Sequence, residues 1–376
     1  MAKYLHRYLT ETDFNADYNG EAYIEPWVSY TEDIERVDYN AHRTDYSKMP
    51  LTLEILEASH PSGSEPGFLL VVGSVKTASN TTSKPYYSVN GGEWTNEYLA
   101  DSLISGLTAG DIIQFKGTGV TCLPSDSAPM FYANTSSDTF RYNVYGNIAS
   151  LLYGDDFENA DGSTLSGGCF KYIFQNSYGS SPVDASNLVI PFETLPDRAC
   201  QSMFYSATTL TSAPAKLPAR TVGASAYYSM FQYCTSLTAG PEIYAETFVG
   251  TGACSNMFDG CTSLATASSE LPATALTTQT YYCMFQGCSS LTTAPVIRAT
   301  SLVNAYSGLM NMFNGCSNLN YVKAMFVDLG TSPFSTYGYG WLTGVAQNGT
   351  FVKNVNAEWT ESDVIPAGWT IETANS

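Results

Sequence analysis

The chain has 376 residues, of which 16 are Lys or Arg and 35 are Asp or Glu, giving a formal net charge of −19. This negative charge argues against nucleic acid and anionic lipid as partners, because phosphate groups are bound by clustered basic residues. Only 14% of the residues are charged, and Ser, Thr, Tyr and Gly are abundant, which favours β-structure over amphipathic helices. The sequence has neither a bilayer-spanning apolar run nor the apolar core of a signal peptide. It therefore predicts no membrane insertion and no export by the usual secretion route.

Residues 1–49 combine many acidic residues with many aromatic ones. A fully disordered tail would contain few aromatic residues, so we interpret this segment as an extended arm that becomes ordered against a partner. The side chains predicted to dock are Tyr4, Leu5, Tyr8, Phe14, Tyr18, Tyr23, Trp27 and Tyr30.

Residues 50–141 are predicted to form a small β-sandwich. The stretches "LTLEIL" and "GFLLVVGSV" are typical of strands, and Asn90-Gly91 within "YYSVNGGEW" indicates a hairpin. A second turn at residues 109–111 should lead into another strand. An alternative is a carbohydrate-binding module that uses Tyr86, Tyr87 and Trp94, although aromatic residues in strands more often pack in a core.

A short apolar helix is predicted from Ile148 to Tyr153, followed by an acidic stretch. The acids are Asp155, Asp156, Glu158 and Asp161. They suggest calcium, but they do not match the spacing of a calcium-binding loop, so the favoured interpretation is a solvated loop.

Residues 142–325 contain a repeat of about 27 residues. Its clearest marks are Met203-Phe204, Met230-Phe231, Met257-Phe258, Met284-Phe285 and Met312-Phe313, spaced 27, 27, 27 and 28 residues apart. Two more apolar positions recur at Leu210, Leu237, Leu264, Leu291 and Leu319 and at Val222, Val249, Leu276 and Val303. Such a period indicates stacked units, each too small to bury its own apolar side.

Within each unit we expect the Met, Phe, Cys and Leu side chains to point inward. Gly260, Gly287 and Gly315 would allow a tight turn before the cysteine. We interpret "YYCMFQGC" as a short helical or 3₁₀ turn and "SLTTAP" as a strand that ends at its proline. Only seven charged side chains lie between residues 201 and 320, so the outer surface should be nearly neutral and rich in hydroxyl groups.

Four of the nine cysteines share one register of the repeat: Cys234, Cys261, Cys288 and Cys316. A metal cluster is the alternative to a structural role. The chain has no C-x-x-C pair, however, and its three histidines (His6, His42 and His60) are distant in sequence. We therefore expect buried, reduced cysteines, with no metal and no cofactor.

Residues 326–376 are predicted to form a β cap over the last unit, with two strands separated by residues 365–368. The segment "YGYGW" is rich in aromatic residues and glycine, as are loops that stack on sugars. Tyr337, Tyr339 and Trp341 are therefore candidate ligand contacts, and packing within the cap is the alternative.

The cassettes "MFQYCTSLTAGP", "MFDGCTSLATA" and "MFQGCSSLTTAP", with "LPAT" after the second, resemble BspA-like leucine-rich repeats of Bacteroidales and their phages. The resemblance covers residues 170–325. It implies a leucine-rich-repeat-like solenoid in a group of mostly adhesion and surface-recognition proteins, and it transfers no catalytic residue. The stretches "YIFQNSYGSSPVDASNLVIP" and "NYVKAMFVDLG" depart from the pattern, as capping units commonly do.

The opening "YLHRY…FNADYNG…EPWVSYT" is similar to the arms of virion proteins of Bacteroidales phages. This resemblance implies that residues 1–49 dock on capsid or tail proteins, and that the protein is part of a virion assembled in the bacterial cytoplasm. Because fibres are commonly homotrimers, it also implies self-association as a homotrimer.

An enzymatic role is not expected, because the chain has no nucleophile elbow, P-loop or H-E-x-x-H motif and no histidine beyond residue 60. The favoured function is a virion head fibre, decoration or tail fibre with an adhesive repeat surface for host or mucus glycans. The alternatives are a bacterial cell-surface or secreted adhesin and an intracellular scaffold.

Overall fold

The computed structural model describes residues 45–59, 68–72, 75–76, 82–99, 103–117, 130–133, 138–177, 179–330, 333–359 and 364–374. These residues are mainly β, arranged in several open sheets, as predicted. In these ranges the helices are short: α1 (Ser150–Tyr153), α2 (Ser335–Gly338) and 3₁₀ helices at Tyr46–Lys48 and Gly154–Asn159. None of them has the length and apolar character needed to cross a bilayer.

Two larger antiparallel groups of strands and a separate two-stranded pair open the fold. Their strands are β1 (Leu51–Ser59), β2 (Phe68–Val72), β3 (Val75–Lys76), β4 (Thr82–Ser83), β5 (Tyr86–Val89), β6 (Leu103–Leu107), β7 (Ile112–Lys116), β8 (Phe131–Ala133) and β9 (Thr139–Asn147). β1 lies between β7 and β9, with β5 beyond β7, whereas β2 lies between β6 and β8. The rings of Phe115 and Phe131 lie 4.8 Å apart between centroids, so the two groups pack against each other.

The turns predicted in this region are confirmed. Asn90 and Gly91 have φ values of 54° and 73°, the left-handed conformation that a type I′ turn requires. The Asn90 side-chain amide donates to Asp111 Oδ1 at 2.7 Å, and Asn90 Oδ1 accepts from the Ile112 N–H at 3.0 Å. The two predicted turns are thereby bonded to each other.

The repeats join the first sheet without a linker. β10 spans Ser180–Asp184 and β11 spans Leu188–Val189. Both strands pair in parallel with β9. Parallel bridges then lead from Asp184 to Ser212, from Ser212 to Ala239 and from Ala239 to Thr266. One hydrogen-bonded line therefore runs from the antiparallel sheet into the stacked units.

Short parallel strands join successive units. They are β12 (Thr194–Leu195), β13 (Lys216–Leu217), β14 (Thr221–Val222), β15 (Glu242–Ile243), β16 (Thr247–Phe248), β17 (Glu270–Leu271), β18 (Val296–Ile297) and β19 (Tyr321–Ala324). β12, β14 and β16 form one sheet, and β13 pairs with β15. β17, β18 and β19 begin a third sheet, which two later strands complete.

The Met-Phe cassettes are hydrogen-bonded turns, and the predicted helical or 3₁₀ conformation is wrong for them. Consecutive N–H groups alternate between two kinds of partner. The Met203 N–H donates to the Cys200 carbonyl of its own unit at 3.2 Å, whereas the Phe204 N–H donates to the Met230 carbonyl of the next unit at 2.8 Å. Half of the backbone donors therefore join neighbouring units directly.

Backbone dihedral angles explain why no helix forms there. Every fourth residue has a positive φ, as at Ser225, Ser229 and Tyr233 with 54°, 53° and 63°. A left-handed residue interrupts a right-handed helix at each occurrence, because it redirects the next peptide group. Helix propensity in the cassette is overridden by the bonds between units.

The prediction that each strand ends at its proline is also wrong, because the strands follow the prolines. Pro241 and Pro295 immediately precede β15 and β18, and Pro214 lies two residues before β13. Proline lacks an N–H but is tolerated where a strand begins. Within "SLTTAP", Thr293 forms an isolated bridge with Tyr321, and the strand β18 follows the proline.

The third apolar register is correct at Val222 and Leu276, which are buried, and wrong at Val249 and Val303, which are 66% and 45% exposed. Phe248 and Leu302 occupy the buried positions instead. Thr221 pairs with Thr247, and Ala275 with Ser301, each 26 residues later.

Insertions before the cassette explain this shift, one residue before Met257 and two before Met312. Phe248 precedes Met257 by nine positions, whereas Val222 precedes Met230 by eight. The loop between strand and cassette is therefore one residue longer in the unit of Met257. Because successive side chains of a strand point to opposite faces, the buried position moves to the neighbouring residue. A strict period of 27 residues therefore points to Val249 and Val303, which are the exposed neighbours of the buried residues.

A continuous column of aromatic rings forms the core. Phe204, Phe231, Phe258, Phe285 and Phe313 stack with centroids 5.3–5.4 Å apart and nearly parallel planes. The column continues through Phe174 to Phe131 at one end and reaches Trp341 at the other. The Met and Leu registers are buried beside it, as predicted. One hydrophobic core therefore extends from the first sheets to the C-terminal strands.

The predicted burial of the cysteine register is confirmed. Each thiol donates to the carbonyl of a phenylalanine 30 or 31 residues earlier in the chain, at 3.0–3.1 Å. The thiols are those of Cys234, Cys261, Cys288 and Cys316. Burial raises the pKa of Cys316 to about 12 and that of Cys288 well above its usual value, so both stay protonated at neutral pH.

The two predicted strands of the cap are present. β20 spans Thr350–Asn354 and β21 spans Thr370–Ala374. They extend the sheet of β17, β18 and β19 in parallel. Three indole N–H groups fix this region by donating to carbonyl groups: Trp341 to Val364, Trp359 to Phe326 and Trp369 to Ala346.

Gly260→Ala should destabilise the protein more than Gly287→Ala. Both glycines have positive φ (75° and 72°), which costs an L-residue about 1–2 kcal/mol. A Cβ at Gly287 meets its nearest atom at 3.7 Å, but a Cβ at Gly260 would lie 2.5 Å from Tyr233 Cδ1. Urea unfolding measures both costs. Adding Tyr233→Ser should reduce the cost of Gly260→Ala to that of Gly287→Ala, and equal costs without it would contradict the clash.

Candidate functional site

The predicted docking residues lie outside the described part of the chain. Tyr4, Leu5, Tyr8, Phe14, Tyr18, Tyr23, Trp27 and Tyr30 all belong to residues 1–44. The last residues of the predicted arm contact the first sheet. The Asn147 N–H donates to the Met49 carbonyl at 2.8 Å, and Asn147 Nδ2 donates to the Ser47 carbonyl at 3.0 Å. Residues 45–49 are thus held by β9.

The three candidate ligand contacts near the C-terminus have different environments. Tyr337 and Trp341 are each 2% exposed, whereas Tyr339 is 65% exposed. Trp341 packs against Phe313, Phe326 and other aromatic rings, as the cap-packing alternative requires. Of these three residues, only Tyr339 offers its ring to a ligand at the surface.

A cavity of about 400 Å³ lies beside α2, between Phe334 and Tyr339 on one side and Val364 and Ile365 on the other. The indole N–H of Trp341 already donates to the Val364 carbonyl at 2.7 Å. This cavity is therefore a crevice of the cap with a mixed polar and apolar lining.

The aromatic residues suggested for a carbohydrate-binding module are only partly accessible. Tyr86 and Trp94 are 38% and 37% exposed. The Lys116 ammonium lies 4.5 Å from the centre of the Trp94 ring, and the Tyr87 hydroxyl donates to the Glu97 carbonyl. One face of Trp94 is therefore already covered by a cation.

The acidic stretch predicted as a loop is partly a 3₁₀ helix, with Asp155, Asp156 and Glu158 exposed and Phe157 buried. Lys116 forms an ion pair with Asp155. Within the described ranges, no group of three or more His, Cys, Asp or Glu side chains is suited to a metal ion.

Two rows of side chains at the cassettes were absent from the predicted site residues. At the cassettes, the position two residues before Met and the position directly after Phe form two adjacent rows, in which Ser255 and Asp259 are buried and the other side chains are partly exposed. The first row is Gln201, Tyr228, Ser255, Tyr282 and Met310, and the second is Tyr205, Gln232, Asp259, Gln286 and Asn314. We call these two rows the turn face. Most of these side chains carry hydroxyl, amide or aromatic groups. An alignment of the cassettes in the sequence already shows this pattern.

A cavity of about 370 Å³ opens on the turn face near its N-terminal end. Three side-chain atoms that line it are buried and have no hydrogen-bond partner: Gln175 Oε1, Gln201 Oε1 and Ser229 Oγ. Buried polar groups in proteins are nearly always bonded, so three together in one cavity are an unusual feature.

The comparisons with known proteins assign no relative to the chain. Neither a family model, nor a curated protein, nor a solved structure matches it.

Proposed function

We propose that the protein is a non-enzymatic structural protein of a phage virion, either a head fibre or decoration or a tail fibre. It docks through its N-terminal arm and presents the repeat surface to host or mucus glycans. Support for docking is the sequence of residues 1–49, where aromatic residues that would otherwise be costly to expose recur in an acidic segment.

We further infer that the repeats form a BspA-like leucine-rich-repeat solenoid. Parallel pairing between successive units supports this inference, as do the buried Met, Phe, Cys and Leu registers. Stacking of small units, each contacting mainly its neighbours, is the architecture that such repeats use.

The adhesive part of the proposal is carried by one observation, the turn face. Its rows place polar or aromatic side chains at equivalent positions of successive units, with Met310 as the exception, and Asp259 is the one charged residue in them. Weak contacts multiplied over the copies of a homotrimer give useful avidity without a tight single site.

The docking claim is tested by deleting residues 1–44 from the gene and measuring incorporation into particles by mass spectrometry. Residues 45–49 are retained because they bond to Asn147. The truncated chain should fold and should be nearly absent from purified particles. A matched control, Val249→Ser at an exposed position of the repeat, should be incorporated normally.

Normal incorporation of the truncated chain would contradict the role of the arm. Recovery of the intact protein from the bacterial envelope, with none in particles, would favour the cell-surface adhesin instead.

A further inference from the structure

The cavity on the turn face is formed by three consecutive segments of the stack. Gln175 belongs to the first, Gln201 and Tyr205 to the second, and Tyr228 and Ser229 to the third. Its volume of about 370 Å³ is within the range of about 300–1,000 Å³ that is usual for small-molecule sites.

The unpartnered atoms in this cavity can be satisfied by a ligand with hydroxyl or N–H groups. Ser229 is 1% exposed, and its Oγ makes no hydrogen bond, although its backbone N–H donates to the Ser255 carbonyl at 2.9 Å. The side-chain oxygens of Gln175 and Gln201 are also buried without a donor. Leaving a buried polar group unbonded costs about 1–3 kcal/mol, so a ligand that supplies these bonds is favoured.

The lining of the cavity carries no formal charge. Of the charged groups near the cavity, the Lys171 ammonium lies 4.7 Å from the centre of the Tyr172 ring, and Asp259 accepts from Gln232 Nε2 at 2.7 Å. A lining without a cationic residue disfavours anionic ligands, and more so in a chain with a net charge of −19.

Tyrosine rings supply the apolar part of the site. Tyr205 and Tyr228 are half-buried, so each keeps part of its ring exposed to the cavity. Tyr205 is held edge-to-face against Tyr233, with centroids 5.8 Å apart. A pyranose ring has an apolar C–H face that packs on such rings and equatorial hydroxyl groups that bond to amides and serine.

The same combination does not recur in the next unit. Ser255 and Asp259 occupy the positions that correspond to Tyr228 and Gln232. The Ser255 hydroxyl donates to the Gln279 carbonyl at 2.7 Å, and Asp259 is bonded to Gln232. Among the described residues, three unpartnered polar atoms therefore line this cavity and no equivalent set lines the following position.

We propose that this cavity is a binding site for a neutral pyranose sugar, held by the amides of Gln175 and Gln201, the Ser229 hydroxyl and the rings of Tyr205 and Tyr228. The inference rests on the adhesive part of the proposed function and assigns it to one site. An uncharged glycan terminus fits these groups, whereas a sialylated terminus lacks a cationic partner there.

The test measures binding of the full chain to multivalent polyacrylamide conjugates of galactose, mannose, N-acetylglucosamine and N-acetylgalactosamine by biolayer interferometry. A sialyllactose conjugate and the sugar-free carrier serve as comparisons. We expect one or more neutral conjugates to bind, and Tyr228→Ala to weaken that binding by at least about tenfold.

Matched variants separate the site from the rest of the face. Tyr282→Ala removes the tyrosine of the same row two units later and should change affinity by less than about twofold. Gln201→Met keeps the length of the side chain and should weaken binding as Tyr228→Ala does. Near-ultraviolet circular dichroism should show that all three variants are folded.

Three outcomes would overturn the inference. Equal losses of affinity in Tyr228→Ala and Tyr282→Ala would show that binding involves the whole turn face, and would leave the proposed function intact. Binding to the sialylated conjugate alone, or equally to the sugar-free carrier, would refute the ligand class. Absence of binding to every neutral conjugate would refute both this site and the adhesive part of the proposed function, but not virion docking.

Discussion

Phe248→Asp is expected to lower the free energy of unfolding by more than about 4 kcal/mol, because it places an unpaired charge in an apolar core. Phe248 is 7% exposed and packs edge-to-face against Tyr281 with ring centroids 5.7 Å apart. Urea unfolding followed by far-ultraviolet circular dichroism measures this effect.

Val249→Asp is the matched control for that substitution. Val249 follows Phe248 directly but is 66% exposed, so the same new charge should change the free energy of unfolding by less than about 0.5 kcal/mol. A strict 27-residue period predicts the opposite ranking. A larger loss for Val249→Asp would therefore contradict the 26-residue pairing of Thr221 with Thr247.

Phe258→Ala is expected to lower the free energy of unfolding by about 3–5 kcal/mol, the usual cost of removing a fully buried phenylalanine. Phe258 is 1% exposed and stacks at 5.4 Å on Phe231 and at 5.3 Å on Phe285. The loss thus breaks the aromatic column in its middle and leaves a cavity between two units.

Tyr244→Ala is the corresponding surface control. Tyr244 is 43% exposed, and its substitution should change the free energy of unfolding by less than about 0.5 kcal/mol. Similar losses for Phe258→Ala and Tyr244→Ala in urea unfolding would show that the column is not the main support of the stack.

Much of the architecture could be predicted from the sequence because apolar spacing is set by burial. The Met-Phe pairs and the cysteines recur in register, and all of them are buried. Asn90-Gly91 predicted its turn for a similarly direct reason, since these residues favour positive φ.

The remaining features depend on contacts between units, which a single repeat does not reveal. Left-handed residues such as Ser229 look like ordinary helix or loop residues in sequence, and their conformation follows from the bonds to the next unit. The one-residue insertion before Met257 moved the buried position from Val249 to Phe248. The period predicts the number of units more reliably than it predicts which side chains are buried.

The candidate site was harder to predict for the same reason. Gln175, Gln201 and Ser229 lie in different units, and they share a cavity only after the units stack. The aromatic segment at Tyr337–Trp341 was the stronger signal of a ligand site in the sequence. Tyr337 and Trp341 are buried in the packing of the cap, however.

Hydrogen–deuterium exchange with mass spectrometry, performed on the full chain with and without a neutral glycoconjugate, tests most directly whether the cassettes are a scaffold for a sugar-binding face. We expect slowed exchange at residues 172–176, 201–206 and 228–233, which surround the cavity on the turn face. Protection confined to residues 333–343 and 364–366, around the cavity of the cap, would contradict this account.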